Sequence, residues 1–323
     1  MSIARDVLLA LGAMLVVGAL SAAERYPVRP VRLVLSFGSG GGDDAAGRII
    51  ASKFSAALGQ RVAVETKGGA AGIDGTLAVI KSEPNGYTLL LGRTDSLAMT
   101  PHLYPAAGYD PRRDLAPVGL IGRVPLLMVV HQRAPMKAAK HFIDLARIAP
   151  GKLNYGSGGA GSDSHLVGEL FAYASGIKVT HLPYSDTAQA VAGLLSKEVD
   201  VVFSVLPPIR GYIESGTLRA LAVTSPDRVP VLPGVPTTAE AGLAGFEAVL
   251  IYGLAGPAGM PPTVIDRLNK RLNALLQADD VRQLFVKDGI TPLSGAPGTY
   301  ATVIAADYEK WGEVVRRSGA RIE

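Results

Sequence analysis

The sequence predicts an α/β protein of two lobes that enclose a cleft. Short runs rich in β-branched and aromatic residues alternate with stretches of helical periodicity, a pattern typical of strands joined by helices in largely parallel sheets. The 323 residues exceed the usual size of one domain. The last quarter has one strand-like run among several helical ones, so we expect it to pack onto the N-terminal part of the chain.

The predicted strands and helices cover most of the chain. The strand-like runs are residues 31–37, 62–65, 87–92, 126–130, 152–156, 179–184, 199–205, 218–224 and 249–256. Between them, apolar residues recur three and four positions apart in two stretches that stop at Gly59 and Gly176, and glycine commonly ends helices. Further helices are predicted from Pro262 to about Leu276 and around residues 300–315.

The return of the tail to the N-terminal part sets the predicted lobe boundaries. The chain must leave the first lobe and come back, and we expect these two crossings near residues 120–128 and 222–254. Lobe I would then comprise residues 24–124 and 226–323, and lobe II residues 125–225. A cleft with a hinge beside it is the expected consequence.

The first residues have the pattern of a secretory signal peptide. Arg5 precedes an apolar run from Val7 to Leu20, and the small residues Ser21 and Ala23 suit cleavage after Ala23. The run is shorter than the roughly 20 residues that a membrane-spanning helix needs. We therefore expect residues 1–23 to be removed and a soluble protein to be exported to the periplasm. A buried N-terminal helix or a retained anchor is the alternative.

The composition excludes several kinds of chemistry. The chain has no cysteine, which rules out disulfides, iron–sulfur clusters, thiolate zinc sites and a lipid-modified N-terminal cysteine. The net charge of +4 is mild and no block of Lys and Arg occurs, so we expect weak attraction for anions and no nucleic-acid binding. We also expect a monomer with no metal and no cofactor.

Two glycine-rich loops, each after a predicted strand and before a helix, are the candidate ligand-binding elements. The first runs from Ser36 to Asp44 and the second from Tyr155 to His165. Missing Cβ atoms let a ligand approach the backbone, and N–H groups at a helix N-terminus attract negative oxygen atoms. One loop in each lobe predicts that an anionic ligand is held between them. Two ordinary tight turns are the alternative.

Other candidate residues follow the predicted strands, where open α/β sheets place their ligands. The predicted ligand-binding residues are Phe37, Gly38, Ser39, Gly40, Gly41, Thr94, Asp95, Ser96, Ser157, Gly158, Gly159, Ala160, Gly161, Ser162, His165, Tyr184 and Ser204. Three aspartates at positions typical of helix N-caps are expected to cap helices, with ligand contact as the alternative: Asp43, Asp44 and Asp163. The remaining histidines are expected at the surface or in loops: His102, His131, His141 and His181.

Motifs of common enzyme classes are absent from the sequence, which has no G-x-S-x-G, H-E-x-x-H or G-x-x-x-x-G-K-[ST]. Residues 156–161 match the dinucleotide pattern G-x-G-x-x-G. That match lies in mid-chain, and an exported protein does not normally meet nicotinamide cofactors. We predict no catalytic residue and no enzyme activity. An exported hydrolase that uses His165 with a nearby serine is the alternative.

A series of longer motifs runs through the chain in a fixed order. They are YPVRPVRLVLSFGSGGGDD (26–44), ALGQRVAVETKGGAAG (57–72), PNGYTLLLG (84–92), YDPRRDLAPVGLI (109–121), PGKLNYGSGGAGSDSHLVGELF (150–171), HLPYSDTAQAVAGLLSKEVDVVFS (181–204), GTLRALAVTS (216–225) and LPGVPTTAEAG (232–242). From about Tyr26 onward the sequence resembles the periplasmic solute receptors of tripartite tricarboxylate transporters, also called Bug or TctC-like receptors.

The resemblance implies the fold of type II periplasmic binding proteins, whose two α/β lobes close on one small carboxylate ligand. It implies ligand contacts from Phe37 to Gly41 and from Ser157 to Ser162 with His165, largely through backbone N–H groups and bridging waters. It further implies a membrane permease with a large multi-span subunit and a small subunit. We expect a receptor that captures a dicarboxylate, an amino acid or an aromatic acid for such a transporter. A sensor that signals to a membrane regulator is the alternative.

The chain departs from the family pattern in its first loop. Where the family has a P-F-P-P-G-G run, this chain has Ser36, Gly38 and Ser39. Fewer prolines leave the free loop more conformational entropy, so ordering it on binding costs more free energy. The segments Thr66-Lys67-Gly68 and Ser185-Asp186, and the single residue Ile251, also replace residues typical of the family, which predicts an altered cleft.

Overall fold

The structure is a computed structural model that describes residues 26–37, 42–320 and 322. The predicted signal peptide, residues 1–23, lies outside this part of the chain. Within the described ranges, no helix is both long and apolar enough to cross a bilayer.

The described residues form two sheets with helices packed against them. The strands are β1 (Val31–Leu35), β2 (Val62–Thr66), β3 (Thr88–Arg93), β4 (Leu115–Pro125), β5 (Leu127–His131), β6 (Asn154–Ser157), β7 (Thr180–Pro183), β8 (Val201–Ser204), β9 (Leu218–Val223), β10 (Val249–Pro257) and β11 (Thr291–Pro292). The helices are α1 (Gly42–Leu58), α2 (Ile73–Ile80), α3 (Thr100–Leu103), α4 (Pro111–Asp114), α5 (Ala139–Ile148), α6 (Asp163–Ser175), α7 (Thr187–Ser196), α8 (Leu206–Glu214), α9 (Pro262–Leu276), α10 (Asp279–Lys287) and α11 (Pro297–Ser318).

The first sheet has the strand order β11-β4-β10-β3-β1-β2, and the second has the order β7-β6-β8-β5-β9. Helices α1, α2, α9 and α11 pack against the first sheet, and α6, α7 and α8 pack against the second. We call the first sheet with its helices lobe I and the second sheet with its helices lobe II. The predicted two-lobed α/β fold is confirmed.

The chain passes between the lobes twice. Strands β4 and β5 are separated only by Leu126, and the return passage runs from the end of β9 to the start of β10. The buried side chain of Thr224 joins the two passages, because its Oγ1 accepts the Leu126 N–H at 2.9 Å and lies 2.6 Å from the Ala248 carbonyl oxygen. The lobes also touch away from these passages, because α11 of lobe I packs on α6 of lobe II.

The expectation of largely parallel sheets is wrong for part of each sheet. The trio β2, β1 and β3 is parallel, as is the trio β7, β6 and β8. However, β10 runs antiparallel to both β3 and β4, and β9 runs antiparallel to β5. The physical reason is the double crossing, since a strand that leaves a lobe and a strand that returns beside it travel in opposite directions.

Each predicted strand is present with its ends within two residues of the expected ones, but the sequence did not identify β4 as a strand. Glycine and proline interrupt β4, and both weaken a strand pattern. The glycines serve close packing here. A Cβ added at Gly119 would lie 2.8 Å from Asn269 Nδ2 on α9, and one at Gly122 would lie 2.8 Å from Ile290 Cγ2.

The close approach of β10 to α11 gives a test of the fold. A Cβ added at Gly253 would lie 2.0 Å from Cζ of Tyr300, whose ring is buried. We expect Gly253→Ala to lower the free energy of unfolding by about 1–3 kcal/mol, because the ring and strand must move apart. Urea denaturation measures this change.

The matched control for this test is Gly211→Ala in α8, where an added Cβ meets no atom within 4 Å. Alanine favours helix over glycine, so this variant should be as stable as the parent or more stable by up to about 1 kcal/mol. Equal stability of both variants would contradict the packing of α11 on β10.

Candidate functional site

The carboxyl ends of β3 in lobe I and β6 in lobe II lie close together, at the position of the predicted cleft. Arg93, the last residue of β3, places its Nη2 3.6 Å from Asp163 Oδ2 at the start of α6. Arg93 also pairs with Asp95 in its own lobe. The Arg93 and Asp163 side chains are largely buried, with exposed fractions of 11% and 17%. An ion pair therefore joins the two lobes at the place where the sequence predicts the ligand.

The second glycine loop also rests on lobe I. A Cβ added at Gly161 would lie 2.8 Å from Ile322 Cδ1 and 3.1 Å from Leu103 Cδ1. Ile322 is itself fixed, because its N–H donates to the Leu103 carbonyl oxygen at 2.9 Å. Glycine at this position, with a φ of +80°, is what allows the loop to approach the opposite lobe so closely.

The first glycine loop is described only at its two ends. Gly38, Ser39, Gly40 and Gly41 lie outside the described residues, as does the side chain of Asp43. Phe37 is buried where β1 ends, and its ring meets the Tyr252 ring edge-on with the centroids 6.1 Å apart. The loop therefore starts beside β10 and β3, on the lobe I wall of the cleft.

The backbone N–H groups of the second loop donate to side chains of the same loop and its helix. Gly158 donates to Ser164 Oγ at 3.0 Å, and Gly159 donates to Ser157 Oγ at 3.2 Å. Gly161 donates to His165 Nδ1 at 3.0 Å. These donors were expected to point at a ligand, but hydroxyl and imidazole groups hold them in place.

A stack of three rings lies beneath this loop. Tyr155 on β6 and His181 on β7 are partners in the parallel register, and their rings stack with centroids 4.8 Å apart. His165 on α6 covers His181 at 4.0 Å with an interplanar angle of 18°. The helix can come this close because Gly168 faces Tyr155, where an added Cβ would lie 2.4 Å from the ring.

Hydrogen bonds tie the stack to the loop and the helix. His181 Nε2 lies 2.6 Å from Ser157 Oγ, and Tyr155 Oη donates to Glu169 Oε1 at 2.5 Å. Burial lowers the pKa of His165 to about 4 and that of His181 to about 4, the latter also through the charge of the neighbouring His165. Both imidazoles are therefore neutral at pH 7.

Comparison with known proteins identifies the family. The family model "Tripartite tricarboxylate transporter family receptor", TctC, matches residues 46–320. The chain belongs to the TctC family of receptors. The resemblance stated from the motifs is thereby confirmed.

Individual relatives of this TctC receptor cover nearly its whole length. Protein BugT of Bordetella pertussis is 35% identical over 302 residues, which are 93% of this chain and 93% of that protein. The structure of R. palustris Rpa4515 with adipate is 33% identical with a TM-score of 0.79, and the match covers 91% of this chain and 98% of that one. MatC of Rhodopseudomonas palustris with bound malate is 29% identical with a TM-score of 0.75, over 90% and 100% of the two chains.

Two other predicted residues of this TctC receptor, Ser96 and Asp95, lie in a helical turn that follows β3. Ser96 is fully buried, and its Oγ lies 2.8 Å from Ser36 Oγ at the end of β1. A Cβ added at Gly72 would lie 2.5 Å from the Ser36 carbonyl oxygen. Asp95 is partly exposed beside Arg93, and it also accepts the Ser96 N–H at 2.8 Å.

Thr94, Tyr184 and Ser204 lie within the lobes. Thr94 Oγ1 accepts the Ile251 N–H at 2.8 Å and donates to Asp307 at 3.0 Å. The Tyr184 ring packs under α7, where a Cβ added at Gly193 would lie 2.3 Å from Tyr184 Oη. Ser204 is 1% exposed and donates to the carbonyl oxygen of the next residue at 3.0 Å.

Two aspartates expected to cap helices have other partners. Ser162 caps α6, because its Oγ accepts the His165 N–H, while Asp163 is the first helical residue. Asp44 lies inside α1, where it accepts hydrogen bonds from Arg48 Nε at 3.0 Å and Thr66 Oγ1 at 3.2 Å. The cap assignments of Asp44 and Asp163 are therefore wrong.

His181 and His102, expected at the surface or in loops, are partly exposed and lie on β7 and α3. His181 is part of the ring stack, and His102 Nε2 lies 2.9 Å from the Tyr308 carbonyl oxygen. Sequence reasoning missed Tyr155 and His181 at the site, because the register that pairs β6 with β7 is not visible in the chain. The four-residue spacing of Gly161 and His165 at a helix start was an available signal for their hydrogen bond.

The position of Thr94 gives a test of its role. Thr94→Val keeps the shape but leaves the Ile251 N–H and the half-buried Asp307 without this partner. We expect the free energy of unfolding to fall by about 1–3 kcal/mol in denaturant titrations. Thr302→Val on the exposed face of α11 is the control and should change stability by less than about 0.5 kcal/mol. Parental stability combined with weaker ligand binding would instead make Thr94 a ligand contact.

Proposed function

We propose that this TctC receptor is a periplasmic solute-binding protein that captures a small carboxylate-bearing solute, such as a dicarboxylate, an amino acid or an aromatic acid. The observation that carries this proposal is the meeting of β3 and the second glycine loop across the cleft. The adipate and malate named for two relatives of the same fold support a carboxylate ligand. The signal-peptide pattern of residues 1–23 supports export to the periplasm.

We propose a ligand position between the first loop, from Phe37 to Gly41, and the second loop, from Ser157 to Ser162. Because the second loop touches Leu103 and Ile322 of lobe I, a ligand there would contact both lobes at once. Contacts that form only when the lobes are together favour the closed form. The ion pair of Arg93 with Asp163 is one such contact.

The lobe boundaries, the partner and the assembly state belong to the same proposal. The second sheet consists of β5 to β9, and β10 lies beside β3 and β4 in the first sheet. These positions support the assignment of residues 125–225 to lobe II. A receptor of this family would deliver its solute to a permease with a large multi-span and a small membrane subunit. We propose a monomer that needs no metal or cofactor for binding.

Binding is better supported than hydrolysis, although one serine has a histidine partner. Ser157 Oγ lies 2.6 Å from His181 Nε2, the distance expected between a nucleophile and its base. However, Ser157 is fully buried, so its oxygen cannot reach a substrate. With a pKa of about 4, His181 is also a weak base. We therefore propose a structural role for this pair and no enzyme activity.

Titration calorimetry with adipate, malate, glutamate and benzoate tests the ligand class. We expect at least one of these carboxylates to bind with one site per chain and to raise the melting temperature by mass action. Neutral sugars of similar size should give no heat. Binding of the sugars alone would contradict the proposal.

The contact of Gly161 with lobe I gives a test of closure. Gly161→Ala places a methyl group against Ile322 and Leu103, so the lobes cannot close fully. We expect the affinity for the bound carboxylate to fall about tenfold or more, a loss of roughly 1.4 kcal/mol or more.

Gly176→Ala is the matched control for the closure test. Gly176 has a similar φ of +62°, but an added Cβ meets no atom within 4 Å. Both substitutions should lower stability by about 1 kcal/mol because of the left-handed backbone. Unchanged affinity in Gly161→Ala would show that the loop does not take part in closure.

A further inference from the structure

The amide groups of the second glycine loop have little freedom to recognise a ligand by themselves. Three of them donate to neighbouring side chains, and two of the acceptors are serine hydroxyls. The third acceptor is His165 Nδ1, which can no longer accept a hydrogen bond once it is protonated. The shape of the loop therefore depends on the chemical state of an imidazole.

His165 is held rigidly in the orientation that this hydrogen bond needs. His165 is 6% exposed, and its ring lies nearly parallel to the His181 ring with the centroids 4.0 Å apart. His181 in turn lies between His165 and Tyr155, and its Nε2 meets Ser157 Oγ at 2.6 Å. Ser157 Oγ also accepts the Gly159 N–H, so the two histidines support the loop at Gly159 and at Gly161.

The geometry fixes the tautomer of His165. Because Nδ1 accepts the Gly161 N–H, it carries no proton, and the neutral ring has its proton on Nε2. Nε2 lies 4.0 Å from Glu169 Oε1. The other ionisable groups around the stack are Tyr155 and His181 within lobe II, and Asp163 with Arg93 at the helix start.

We propose that His165 and His181 are positioning residues, whose neutral, stacked rings hold the second glycine loop in its ligand-binding shape. His165 acts directly through Gly161, and His181 acts through Ser157 and by supporting the His165 ring. This inference rests on the proposed function for its effect on ligand affinity. Its effect on the loop itself does not depend on any ligand.

The proposal predicts a loss of loop structure in acid. Burial holds the folded-state pKa of His165 at about 4, below its ordinary value near 6.5, so the neutral form persists through most of the acidic range. As the pH falls toward 4, a proton on Nδ1 replaces the acceptor with a donor that faces the Gly161 N–H. The hydrogen bond is then lost, and two charged rings 4.0 Å apart repel each other.

The first test needs neither a variant nor a ligand. Nitrogen-15 NMR of the full chain at pH 7.5 reports which ring nitrogen of His165 carries the proton. We expect a proton on Nε2, an unprotonated Nδ1 and slow hydrogen exchange at the Gly161 amide. A proton on Nδ1 would overturn the proposal, whether or not the protein binds a carboxylate.

The second test compares two substitutions of His165. Asparagine places an oxygen where Nδ1 lies and does not titrate, whereas leucine fills the space without an acceptor. We expect His165→Leu to speed exchange of the Gly161 amide about tenfold or more and to weaken adipate binding by a similar factor, since one amide is left unpaired. His165→Asn should stay within about threefold of the parent in both measurements.

The pH profile separates positioning from a merely structural role. Adipate itself takes up protons in acid, so the affinities of the parent and of His165→Asn are compared at each pH between 4 and 7.5. We expect their ratio to be constant above pH 6 and to move in favour of His165→Asn as the pH approaches 4. A ratio that stays constant over the whole range would overturn the proposal.

The exposed histidine His141 supplies the control, since His141→Asn should match the parent in Gly161 amide exchange, ligand affinity and pH profile.

If the parent binds none of the carboxylates, the proposed function fails, but the tautomer and exchange measurements still decide the role of His165. If the parent binds adipate and His165→Leu folds with unchanged exchange and affinity, the positioning role fails and the proposed function stands.

Discussion

A run of glycines has no side chains to fix its own shape, so its amide groups must be held by neighbouring residues. In this TctC receptor the neighbours of the second loop are Ser157, Ser164 and His165. The first two are hydroxyls close in sequence, and the third depends on a ring that is itself stacked on β6 and β7. The shape of the second loop therefore depends on side chains that pack in the interior of lobe II.

The double crossing of the chain explains how this loop comes to face lobe I. Both parallel trios of strands present their carboxyl ends to the side where the lobes face each other, because the chain passes between the lobes only beside Thr224. Asp163 then pairs with Arg93, and Gly161 contacts Leu103. A small ligand held there would contact two lobes and could favour the closed arrangement over the open one.

The sequence predicted the two-lobed fold because its signals are local. Strand composition, helical periodicity and stop residues such as Gly176 depend on a few neighbouring positions, and the helix from Pro262 to Leu276 was predicted at its observed bounds. Strand β4 was missed because its glycines, which allow α9 to pack closely, look like turn residues. The direction of β10 follows from the crossing and not from its own residues.

The site could be predicted only in part for the same reason. The glycine loop and His165 are visible as residue types at a helix start, whereas the stacking of His181 on Tyr155 depends on strand register. The ion pair of Arg93 with Asp163 depends on how two lobes meet. The hydrogen bonds from the loop N–H groups to nearby side chains likewise depend on side-chain rotamers, which the sequence pattern does not show.

Closure of the lobes on a carboxylate is tested most directly by measuring the distance between a label in lobe I and a label in lobe II. The chain has no cysteine, so spin labels can be placed specifically at Lys67→Cys and Ser185→Cys, which follow β2 and β7 at the rim of the cleft. Double electron–electron resonance should show a shorter and narrower distance distribution when adipate is added, or another carboxylate that calorimetry shows to bind. An identical distribution with and without the bound carboxylate would contradict the account.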